Sequence, residues 1–147
     1  MRERIKIIYE LEHLKGSCYV EIKPGKYSGE NWGEESIFFT DETFTYFSKA
    51  IEKHYKKYSL WGISEINRET WKLILGELEN LKLFLTNNPK PEDLKKHIEY
   101  LYLEITEKYI LGQLNKNLDD LVKVITEFQS WINKKSKDNE YISVLGV

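Results

Sequence analysis

An α+β domain is the fold this sequence predicts, with a four-helix bundle-like core packed beside a small antiparallel sheet. The sheet is expected to form from an N-terminal hairpin and a C-terminal strand. Three observations point to this. Apolar and polar residues alternate in RIKIIYELE and CYVEIK near the start and again in EYISVLGV at the end. Between Thr40 and Lys137 the apolar spacing changes to threes and fours, the period of a helix. Turn-forming stretches, HLKGS, YSLWG, NNPKP and GQLNKN, separate the runs.

In chain order, residues 4–12 place Ile5, Ile7, Tyr9 and Leu11 on one side of an extended segment, with Lys6, Glu10 and Glu12 on the other. Ile5, Ile8 and Glu12 also fall near one helical stripe. The β-branched residues, together with the turn HLKGS and the alternation of CYVEIK up to Pro24, favour a β-hairpin. The stretch Tyr27–Phe44, YSGENWGEESIFFTDETF, reads mainly as loop because Gly25, Gly29 and Gly33 recur through it, with room for a short strand at Ser36–Phe39. Asp41 is placed to cap a helix whose apolar side is Phe44, Phe47, Ile51, Tyr55 and Tyr58. Tyr58–Gly62 then connects to a second helix capped by Ser64 or Asn67. With Asn67 as the cap, Ile66 and Trp71 take the two positions of a hydrophobic staple.

That second helix presents Trp71, Ile74, Leu78, Leu81 and Leu85. Pro91, followed by Glu92 and Asp93, marks the start of a third, with Leu94, Ile98, Leu101, Ile105 and Tyr109 facing inward. A break is expected at Gly112–Asn117, where Asn117 caps a fourth helix carrying Leu118, Leu121, Ile125, Phe128 and Ile132. The final YISVLGV returns to the sheet.

No composition shift or linker divides the 147 residues, so 1–147 is expected to be one domain. The single Cys18, set among strand-forming residues, reads as an unreactive thiol. The first residues lack the apolar core of a signal peptide, and no apolar run approaches membrane-spanning length, so a cytoplasmic location is expected, with no membrane partner. A formal charge of −2 argues against a nucleic-acid partner, which needs a surplus of cations on one face. The acids are unevenly placed. Glu30, Glu34, Glu35, Asp41 and Glu42 fall in a stretch without Lys or Arg, and Lys49, Lys53, Lys56 and Lys57 follow it. Mutual neutralisation within the molecule is the simplest outcome of that arrangement.

Signals for catalysis are sparse. His13, His54 and His97 lie on separate elements. Glu10 and His13 have the E-x-x-H spacing of di-iron bundles, but on a strand those positions point to opposite faces. Phosphate-binding loops and nucleophile elbows are absent, and the adjacent acids Glu34-Glu35 and Asp119-Asp120 need no catalytic role. No catalytic residue, metal or cofactor is expected, and the chain reads as a non-enzyme.

Tryptophan is more informative. Trp71 and Trp131 fall within helices, and Trp61, between Leu60 and Ile63, is expected to fold back on the core. Trp32 has only Asn31, Gly33, Glu34 and Glu35 around it. An aromatic anchor ringed by charge resembles a protein-binding hot spot, with the anchor supplying affinity and the acids steering a basic partner. The candidate partner-binding residues are therefore Tyr27, Glu30, Trp32, Glu34, Glu35, Asp41 and Glu42.

In SIFFTDETF leading into a helix, YSLWGISEINRETW leading into a Leu-rich helix, and the terminal YISVLGV, the chain resembles small bacterial immunity proteins of contact-dependent inhibition and related polymorphic toxin systems. The resemblance implies a non-enzymatic inhibitor, or antitoxin, of one cognate toxin with a basic surface, often a nuclease. The rival reading is a small-molecule site or an enzyme between helices, lined by Tyr100, Tyr102, Tyr109 and His97. Those tyrosines also allow a dimer contact, so monomer and homodimer both stay open.

Overall fold

Alternation along the strands divides the sheet into two unlike faces. The computed structural model describes residues 5–15, 19–59, 61–87, 89–90, 93, 97 and 104–146, with 104–117 described by backbone alone. Its strands are β1 (Tyr19–Pro24), β2 (Ile37–Thr40), β3 (Ile63–Asn67) and β4 (Tyr141–Leu145). They form one four-stranded antiparallel sheet in the order β2-β1-β4-β3. On its inner face, Val20, Ile22, Ile37, Phe39, Ile66, Ile142 and Val144 join the core shared with the helices. On the outer face the register aligns Phe38, Glu21, Leu145 and Ile63 in one row across all four strands.

The helices α1 (Asp41–His54), α2 (Arg68–Leu85) and α3 (Glu104–Ser136) cover the inner face. Helix α2 starts where Asn67 Oδ1 accepts the Thr70 N–H at 2.9 Å, and the flanking Ile66 and Trp71 are both buried, as a staple requires. The Trp71 indole N–H donates to the Ile142 carbonyl at 3.0 Å, fastening α2 to β4. Phe39 lies 5.2 Å from both Phe47 and Phe128, and Trp71 meets Phe128 edge-on at 6.0 Å. Each of these fully buried rings contributes roughly 1.5–3 kcal/mol of hydrophobic stabilisation. No helix among the described residues is long and apolar enough to cross a membrane.

The α+β class holds, but the four-helix bundle does not. The described residues contain three α-helices and a full sheet. Gly112–Asn117, expected as a break, lies inside α3, so position 117 is within a helix and not at the start of one. One glycine weakens a helix by only about 1 kcal/mol, and no proline interrupts the hydrogen-bond ladder there. The start expected for a third helix, with Pro91, Leu94, Ile98 and Leu101, lies outside the described residues, as does Cys18.

The expected N-terminal hairpin is also corrected. Residues 5–10 are not a strand of the sheet, and Leu11–His13 form a 3-10 turn. Ile8 instead exchanges two backbone hydrogen bonds of 2.8 Å with Phe38, closing the outer edge of β2 at that position. The hairpin that does form is β1–β2, and the acidic segment is its long loop. Thr40, not Asp41, caps α1, accepting the Thr43 N–H at 3.2 Å. Finally, β3 follows the expected connector Tyr58–Gly62 and takes up the residues from Ile63 to Asn67, where the sequence predicts only a helix cap, Ser64 or Asn67. At the other side of the sheet β3 is an edge strand. Gly62 and Arg68 both bond towards β4, and the alternation of an antiparallel ladder then directs the Ile63 and Glu65 main-chain groups away from it.

Candidate functional site

Glu21 builds this site from beneath. It stands on the outer face of β1 and is only 3% exposed, a position that a carboxylate tolerates only when hydrogen-bonded. The loop supplies the donors. Trp32 N–H reaches Oε1 at 2.6 Å, and Gly33 N–H and Ser36 Oγ reach Oε2 at 2.9 and 2.6 Å. Residues 25–36 are thereby drawn across the sheet face opposite the helices. The attachment continues over the neighbouring strands. Ser143 Oγ donates to the Gly25 carbonyl at 2.7 Å, Lys26 Nζ sits 4.6 Å from the centre of the Tyr141 ring, and Tyr27 N–H donates to Glu65 Oε2 at 2.9 Å. Lys23 Nζ donates to the Glu30 carbonyl at 2.7 Å, and Tyr27 Oη donates to Asn31 Oδ1 at 2.8 Å.

Trp32 occupies the bend these bonds create. Its φ of 63° is in the left-handed region, and no other non-glycine among the described residues shares it. Such a backbone costs about 1–2 kcal/mol, and the Glu21 contacts to two successive N–H groups offset it. Gly33 is held close, since a Cβ there would meet Ser36 Oγ at 3.1 Å and Lys23 Cε at 3.3 Å. The indole rests edge-on against Tyr19 at 6.4 Å and tilted against Phe38 at 6.1 Å, yet Trp32 stays 41% exposed. It is propped on the outer face, neither enclosed by the core nor projecting freely.

The candidate residues do not all share this surface. Tyr27, Glu30, Trp32, Glu34 and Glu35 belong to the loop. Glu30, Glu34 and Glu35 are exposed, and among the described residues no cation pairs with their carboxylates. Asp41 and Glu42 are half-buried in the first turn of α1, where Asp41 Oδ1 accepts the Glu42 N–H at 2.8 Å, and both are engaged within the molecule. Lys53 of α1 does not pair with the loop acids either. Lys53 Nζ lies 3.0 Å from Glu77 Oε1 on α2 instead.

Three contributors escape a reading of residue spacing. Glu21 looks like the polar side of an ordinary strand, and only the returning loop makes it an anchor. Trp61, expected to fold back, is 71% exposed, and Ile63 beside it is 53% exposed at the far end of the outer row from Phe38. Three strand spacings of roughly 4.8 Å put about 14 Å between those two ends. The local flag for this pair is an aromatic and an isoleucine on either side of a glycine in a connector.

Elsewhere, the turn at residues 11–13 gathers Glu10, Glu12 and His13, whose ligand-type atoms lie within 4.8 Å of one another, where a strand would have parted Glu10 from His13. All three are exposed. The Glu10 carboxylate holds the Glu12 carboxyl above its ordinary range through a shared hydrogen bond. Of the rival pocket, Tyr100 and Tyr102 lie outside the described residues, Tyr109 is described by backbone alone, and His97 stacks on Phe84 at 4.5 Å. Comparison of the chain with protein-family models, with curated proteins and with solved structures gives no match.

Proposed function

We propose that this chain is a non-enzymatic protein-binding module that docks a basic protein surface on its loop-covered sheet face. The observation behind this reading is the half-exposed Trp32 indole, set on a clamped backbone among three carboxylates that no cation among the described residues neutralises. A loop already held by Glu21 has less freedom to lose on association. Glu30, Glu34 and Glu35 steer and pair with Lys or Arg, and Trp32 enters a pocket on the partner. In its most specific form, which rests on the immunity-protein resemblance, the partner is a cognate toxin, of a class that includes nucleases, and the inhibition is by occlusion.

The partner is isolated on the immobilised chain, with Trp32→Ala as the matched control, and the captured protein is titrated by calorimetry. Trp32→Ala is expected to weaken association by about 2 kcal/mol. Glu34→Lys with Glu35→Lys is expected to act mainly on the association rate, and less so at high salt. Unchanged affinity in both variants would remove the loop from the interface.

A further inference from the structure

We infer a second binding site, for a small organic carboxylate with an apolar body, in the groove between the first turn of α2 and the last turn of α3. The groove encloses about 390 Å³, within the range of small-ligand sites. Its apolar lining is the half-buried Leu75, backed by the buried Trp71 and Ile132, and its cations are Arg68, Lys72 and Lys137. Among the described residues no carboxylate lines it.

Arg68 is already oriented. Its backbone N–H donates to the Glu140 carbonyl at 2.7 Å, and its Nε donates to the Ser136 carbonyl at 2.8 Å. Among the described residues nothing bonds its two terminal nitrogens, the pair that a carboxylate engages side by side. The end of α3 would ordinarily repel an anion through its exposed carbonyls. Here those of Lys134, Lys135 and Ser136 are taken by Lys137 N–H, by Asp138 N–H and Asn139 Nδ2, and by Arg68 Nε. Of the three cations, Lys72 has an acidic partner, Glu69 at 3.4 Å, and both side chains are largely exposed. Bare phosphate would leave the Leu75 wall wet, and a neutral apolar molecule would leave Arg68 unanswered. A carboxylate on a short aliphatic or aromatic body satisfies both halves.

The probes are hexanoate, hexylammonium and inorganic phosphate, titrated into the full chain and followed by backbone amide NMR. Hexanoate is expected to give saturable shifts at Arg68, Leu75, Asn133 and Ser136 in the millimolar range, and the other two probes are not. Arg68→Gln should weaken hexanoate about tenfold, the loss of a charge-assisted pair. Because Arg68 also ties two helix ends together, Lys72→Glu with Lys137→Glu provides an independent variant on exposed side chains, again with about tenfold loss expected. The inference is overturned by the absence of saturable shifts with hexanoate, by equal shifts from phosphate or hexylammonium, or by folded variants that bind hexanoate as the parent does.

Discussion

A carboxylate shut away from water must have its lone pairs met by donors, and at Glu21 two backbone N–H groups and a hydroxyl meet them. Replacing one oxygen by an amide nitrogen turns a partner of those donors into a competitor. Glu21→Gln is therefore expected to destabilise the fold by about 2 kcal/mol, read from the urea midpoint. Amide exchange at Trp32 and Gly33 should accelerate more than exchange in the helices. Equal acceleration everywhere would mean that the residue supports the sheet in general and not the loop. The candidate site was legible at this scale only in part. Trp32 among its acids is a local pattern, and the structure sets its indole half-exposed on the loop. The residue that holds it is remote in the chain, and no spacing rule links position 21 to positions 32, 33 and 36.

Helix α2 illustrates what local pattern does specify. Its cap, staple and apolar stripe agree with one another, and Asn67, Ile66 and Trp71 each take the expected role. One position in it is suboptimal. Gly76 lies mid-helix and exposed, and an added Cβ there meets nothing within 4 Å. Gly76→Ala is expected to stabilise the protein by about 0.5–1 kcal/mol, chiefly by narrowing the unfolded ensemble. A lowered urea midpoint would contradict it. The elements that misled are those in which local and tertiary signals diverge. β3 turns Ser64 inward and Ile63 outward, so its isoleucines at 63 and 66 are three apart and hide the period of two. In α3 the polar run before Leu118 looks like a gap, but weak helix formers without a proline are tolerated once the segment from Leu121 to Ile132 is buried.

At the scale of the molecule, α1 and α2 are joined electrostatically as well as by packing. Glu77 Oε1 lies 3.0 Å from Lys53 Nζ and 3.2 Å from His54 Nε2, and hydrogen bonding from Lys53 is the main cause that lowers the Glu77 carboxyl below its ordinary 4.5. A depressed carboxyl stabilises the fold above its unfolded value, and that stabilisation fades as the pH drops from about 4.5 through the lower, folded value. For a partly exposed group the contribution is about 0.5 kcal/mol. Glu77→Gln should thus be slightly less stable than the parent at pH 7 and should close the gap by pH 3 in urea titrations. A constant difference across that range would assign the effect to packing.

The two margins of the sheet differ in a way that limits how copies of this chain can associate. One is blocked where Ile8 takes both main-chain groups of Phe38, while along the other no backbone partner meets Ile63 or Glu65 among the described residues. Among the described residues, a further strand is met by Ile8 at Phe38 on one side and finds Ile63 and Glu65 accessible on the other. Two molecules joined across β3 would each turn the β2 edge to the solvent, where the Ile8 bridge at Phe38 opposes the docking of another strand in register.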